Sequence, residues 1–156
     1  MEPQLHNFKS IWLADDDPDD CDIFREVLMH LTPQAELTVF KDGEALIRQL
    51  STSNKPDILF LDINMPCMTG LECLVEIRAL RHFSRLPVVI LSNSRVSKQM
   101  QSAYAYGANL YFPKPYTISG LESGLRELFS MNWDDPFVIT RNHFVNNEFV
   151  PFNTSM

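Results

Sequence analysis

Short apolar runs alternate along the chain with longer stretches whose apolar residues recur every three or four positions. Residues 8–14 (FKSIWLA) predict a strand that ends in acids. Asp17 and Pro18 then suit an N-cap and first helical position, with Ile23, Phe24, Val27, Leu28 and Leu31 at helical spacing behind them. A second strand is predicted over 36–40, followed by a helix capped by Asp42 and carrying Ala45, Leu46 and Leu50. Residues 57–61 (DILFL) are almost continuously apolar, as a strand buried on both faces should be. Thr69 and Glu72 have capping-box spacing and open a third helix with Leu71, Leu74 and Val75. Pro87 precedes the fourth strand, VVIL. A more polar helix over 95–106 ends at Gly107, and Asn109–Phe112 makes a fifth strand. Thr117 caps the last helix, which bears Ile118, Leu121, Leu125, Leu128 and Phe129.

Strict β-α alternation predicts a parallel sheet covered by helices on both faces. Chemistry in such sheets gathers at the carboxyl ends of the strands. There the sequence places Asp15, Asp16 and Asp17 after the first strand and Asp62 after the third. Ser92 ends the fourth strand, and Lys114 lies in Pro113-Lys114-Pro115 after the fifth. Asp17 is accounted for as a helix cap, and Ser92 or Lys114 alone would be ordinary. Adjacent acids at a strand end repel one another unless a cation lies between them. With Asp62 they supply the hard oxygen ligands that Mg²⁺ prefers.

Bulk properties narrow the partners. A chain of 156 residues with 45% hydrophobic and 21% charged content suits one globular domain with an appendage. A net charge of −7 argues against nucleic acid, which needs a basic footprint. No apolar run approaches the roughly 18 residues that cross a bilayer. The N-terminus lacks a secretory pattern, and Cys21, Cys67 and Cys73 are an odd set without CxxC spacing. A cytoplasmic location is expected.

Four motifs occur in order: LADDDPDD, FLDINMPCMTG, VILSNS and YFPKP. Over about residues 8–131 the chain resembles the CheY-like receiver domain of bacterial two-component response regulators. The resemblance implies a flavodoxin-like five-stranded parallel sheet of order 2-1-3-4-5 with five helices. It implies that Asp62 is the phosphoacceptor, and that Asp15, Asp16, Asp62 and the backbone carbonyl of Asn64 hold Mg²⁺. Ser92 would bond a phosphoryl oxygen, Lys114 would pair with the phosphate, and Tyr111 would be the aromatic switch. It also implies a cis Lys114–Pro115 bond. Cys67 stands where receivers often have glycine.

The partners implied are a sensor histidine kinase or a histidine phosphotransfer protein, with dimerisation expected through the fourth helix, fifth strand and fifth helix. A phosphorelay intermediate fits as well as a terminal switch, and a constitutive binding module is the third reading. An aspartyl-nucleophile phosphatase would need a second aspartate at position 64, where the sequence has asparagine, so no enzyme is expected. Residues 132–156 lie beyond the resemblance yet hold Trp133, Phe137, Phe144, Phe149 and Phe152. Such a tail is expected to dock, in extended form, on its own domain or on a partner subunit.

Overall fold

A computed structural model describes residues 4–52 and 54–152. Strands β1 (Ser10–Ala14), β2 (Glu36–Phe40), β3 (Ile58–Leu61), β4 (Val88–Ser92) and β5 (Leu110–Pro113) form one parallel sheet in the order β2-β1-β3-β4-β5. Helices α1 (Pro18–Leu31), α2 (Gly43–Leu50), α3 (Gly70–Ala79), α4 (Ser97–Ala105) and α5 (Ile118–Phe129) connect and follow the strands. The expected sheet order is therefore observed.

Side-chain alternation divides the core in two. On one face Ile58 and Phe60 of β3 join Phe24, Val27 and Leu28 of α1 and Leu125, Leu128 and Phe129 of α5. On the other, Leu59 and Leu61 meet Leu46, Leu50, Leu74, Ile77 and Tyr104 of α2, α3 and α4. Val75, expected in the core, is half exposed. The caps at Asp17, Asp42, Thr69 and Thr117 all form, the Thr69–Glu72 capping box included. Val96 is the N-cap of α4 and supplies no side-chain cap, and the helix starts at Ser97, two residues later than its sequence suggests. Gly70 is fixed by crowding, since a Cβ there would overlap the carbonyl oxygen of Asp62.

Cys67 takes the left-handed backbone conformation, with φ 69°. Met68 N–H donates to Pro66 O at 2.7 Å, closing a tight three-residue turn around it. Side chains with a Cβ pay roughly 1–2 kcal/mol there. Cys67→Gly should raise the free energy of unfolding by up to about 1 kcal/mol, after the extra chain entropy of glycine is subtracted. Urea denaturation checks this, and a loss of stability would contradict it.

The C-terminal residues are packed, and only part of them is extended. Phe137–Thr140, expected to be extended, belong to a sixth helix, α6 (Pro136–Asn142). Asp135 caps it by accepting from Phe137 N–H, and Pro136 is tolerated at its first position. Strands β6 (Phe144–Val145) and β7 (Glu148–Phe149) then form an antiparallel hairpin. Its turn residues Asn146 and Asn147 have φ of 54° and 66°, as a two-residue hairpin loop requires. Ile139 and Phe152 are buried against the domain, and Trp133 closes the base of the α1–α5 core. The end of the tail, 153–156, lies outside the described residues.

Candidate functional site

The carboxyl ends of β1, β3 and β5 bring Asp15, Asp16, Asp62 and Lys114 together. Carboxylate oxygens of Asp15, Asp16 and Asp62 all lie within 4.8 Å of one another. Asp15 and Asp62 are buried and Asp16 is exposed, so the cluster opens to solvent on one side. Lys114 Nζ donates to Asp15 Oδ2 at 2.7 Å and to Asp20 Oδ2 at 2.8 Å, and stands 3.7 Å from Asp62 Oδ2. Gly70 packs under the Asp62 carbonyl, and Asp62 N–H donates to Ala14 O, which fixes this strand end.

Three carboxylates thus surround one ammonium, and Asp16 adds a further acid beside two of them. Burial raises the pKa of Asp62 to about 6; Lys114 opposes the shift, Asp15 adds to it, and the backbone amides of Ile63 and Asn64 oppose it. Burial would lower the Lys114 pKa, but hydrogen bonds to Asp15 and Asp20 outweigh it and hold the ammonium above its ordinary value. A surplus of negative charge on converging oxygens is what a hard divalent cation balances. The acid cluster fits such a cation.

Ser92 is fully buried at the end of β4, its Oγ accepting from Ser94 N–H at 3.1 Å. Tyr111 is buried on β5 behind it and donates its hydroxyl to Ser94 O at 2.8 Å. Asn64 is exposed two residues beyond Asp62. No peptide bond among the described residues is cis, so Lys114–Pro115 is trans, against the expectation. Pro115 instead packs beside Gly120 at the start of α5.

Two residues of the site were not anticipated. Asp20 lies in the first turn of α1, where the helix dipole alone would account for an acid, and it reaches Lys114. Arg95 donates to Lys114 O at 3.0 Å, and its guanidinium lies 4.7 Å from the Tyr116 ring. It ties the loop after β4 to the loop after β5. No sequence spacing signals that contact.

A family model of the response regulator receiver domain matches residues 11–126. The chain belongs to the response regulator receiver family. Rcp1 of Synechocystis sp. is 31% identical over 137 residues, spanning 84% of this chain and 88% of that one. The structure of Rcp1 in its manganese-bound form aligns with a TM-score of 0.71 at 29% identity, over 79% of this chain and 93% of the other. Phosphorylated RcpA, a cyanobacterial phytochrome response regulator, aligns with a TM-score of 0.72 at 29% identity, covering 78% and 91%. RPA3017, from red light signalling in R. palustris, has a TM-score of 0.72 at 26% identity, covering 93% of this chain and 99% of its own. This receiver is CheY-like, a component type of two-component signalling.

Proposed function

We propose that the chain is a single-domain response regulator that accepts a phosphoryl group on Asp62 from the phosphohistidine of a sensor kinase or phosphotransfer protein. The observation that carries this is a buried carboxylate at the end of β3, flanked by two further acids and facing a lysine at 3.7 Å. In the transfer, an Asp62 oxygen bonds to phosphorus as the phosphorus–nitrogen bond to the donor imidazole breaks. Lys114 turns from Asp15 and Asp20 to a phosphoryl oxygen, and the Ser92 hydroxyl donates to another. Asp15, Asp16, Asp62 and the Asn64 carbonyl would hold Mg²⁺, which supplies charge neutralisation when bound. The neighbour described as phosphorylated and the one described as manganese-bound support the same reading.

Asn64 offers an amide where an aspartyl-nucleophile phosphatase would need a general acid, which argues against that catalytic cycle. Buried Cys21 and Cys73 and exposed Cys67 are all unpaired, which suits a reducing cytoplasm. A homodimer through α4, β5 and α5 would be built over residues 144–152, which lie on part of that face.

Incubation with acetyl phosphate and Mg²⁺, followed by intact mass, tests the proposal. One phosphoryl adduct per chain is expected, and none after chelation of the metal. Steady release of free phosphate without an adduct would favour a phosphatase, and no reaction would favour a constitutive binding module.

A further inference from the structure

Tyr111 lies on the edge strand β5, and both of its outward backbone groups are satisfied from outside the sheet. Its N–H donates to Tyr104 Oη at 2.9 Å, and its carbonyl accepts from Phe152 N–H at 2.7 Å. The same Tyr104 hydroxyl donates to Val150 O at 2.9 Å. The Tyr104 ring stacks on Phe149, with centroids 4.6 Å apart and planes 11° from parallel. Gln101 completes the grip, donating to Phe149 O at 2.7 Å and accepting from Phe149 N–H at 3.1 Å, much as a neighbouring strand would. Phe152 then packs edge-on against Phe112, on the α5 side of β5. The tail straddles the strand.

Covering an open edge is a sufficient structural use for such a segment. The contacts made by the inner side of Tyr111 point further. Its side chain is 1% exposed and bonds Ser94 O, while Ser94 N–H bonds Ser92 Oγ. Hydrogen bonds therefore link Ser92, Ser94, Tyr111, Tyr104 and Val150, the residue that follows the hairpin, without a break. The Tyr104–Phe149 stack belongs to the same packed cluster as the Tyr111 ring, so the tail is part of the packing around it.

We propose that residues 144–152 are a resident ligand of the α4–β5 surface and hold Tyr111 in its buried position, so that tail docking and phosphoryl uptake at Asp62 favour each other. The coupling rests on the phosphoacceptor reading; the hold on Tyr111 does not. A phosphoryl oxygen that draws the Ser92 hydroxyl away from Ser94 leaves space behind β4, and a buried Tyr111 fills it. The docked tail has already ordered that residue, so the cost of ordering it is removed from the phosphorylation step. Linkage makes the effect reciprocal. A protein partner, a second copy of this chain included, meets the tail before it meets this face of α4.

The full-length Gln101→Ala/Phe149→Ala variant tests both parts. Without metal or phosphate analogue, amide exchange should rise about tenfold or more in 144–152 and at Tyr111, and stay unchanged in β1 and β3 as evidence of an intact fold. A hairpin that loosens while the Tyr111 amide stays protected would overturn the hold. If the double variant unfolds, Gln101→Ala alone, at a half-buried surface position, is expected to move both segments in the same direction. With Mg²⁺ and beryllofluoride, the variant should bind about tenfold more weakly than the unaltered chain, a coupling of ordinary size. Equal affinity would overturn the coupling. If the unaltered chain itself ignores beryllofluoride, the phosphoacceptor reading fails, and the exchange measurement still decides the hold.

Discussion

Asp62→Asn should abolish Mg²⁺-dependent labelling by acetyl phosphate and at the same time make the protein more stable. Loss of labelling follows because an amide oxygen is a poor nucleophile and a weaker ligand for a hard cation. Stabilisation follows from the charge crowding. The Asp62 carboxyl titrates at about 6 in the folded chain against 3.8 ordinarily, so the folded state binds more protons than the unfolded state across that window. Stability contributed by the proton is therefore lost as pH rises through it, and at pH 7 the ionised group is a cost. Asparagine carries no such charge, and its backbone N–H can still donate to Ala14 O. In metal-free buffer at pH 7 the variant should gain on the order of 1–2 kcal/mol, with a smaller gain near pH 4. Denaturant titrations at the two pH values measure the gain. A less stable variant would mean that Asp62 is a structural partner of Lys114 and not the strained member of the cluster. Labelling that survives would place the acceptor elsewhere.

The same physics decided how much could be seen in the sequence. Strand ends were legible because a fully buried strand reads as an apolar run, and ILFL and VVIL can be little else. Once the sheet order was expected, chemistry-bearing residues at those ends fell together, as Asp15, Asp16, Asp62 and Lys114 do. Contacts between loops were not legible. Arg95 reaches Lys114 O and Tyr116 across two connections whose geometry no periodicity encodes. The dipeptide Asp-Pro marks the difference most clearly, since it occurs at 17–18 and again at 135–136, and caps a helix both times. The first was read correctly because helical spacing of apolar residues follows it. The second is followed by Phe-Val-Ile-Thr, whose β-branched residues suggested an extended chain. Tertiary packing overrode that propensity. Ile139 turns into the core, and Thr140 Oγ1 donates to Asn109 O at 3.1 Å, contacts that only the helical arrangement joins.

Trp133→Ala should be the most destabilising single substitution in the C-terminal region, at about 3–5 kcal/mol. The indole is only 4% exposed although it lies four residues past the end of α5. Its Nε1–H donates to Leu128 O at 2.9 Å, so the polar edge of the ring is satisfied by a carbonyl near the helix end. The ring meets Phe8 at 6.3 Å between centroids, and Phe8 in turn meets Phe129 at 5.7 Å. Removing it therefore opens a cavity at the base of the α1–α5 core and takes the indole donor from that carbonyl, which keeps the Met131 N–H. The other tryptophan, Trp12, is buried on the opposite face of the sheet against Phe40, so its fluorescence still reports global unfolding in the variant. Denaturant midpoints of the two proteins give the difference, and similar slopes would show that the same cooperative unit unfolds. A loss below about 1 kcal/mol, the range of a surface change, would mean that the region after α5 is attached to the domain without being part of its core. A loss of the expected size would make residues 132–139 as much a part of the folding unit as α5, and would set the removable portion of the tail at the hairpin and the residues after it.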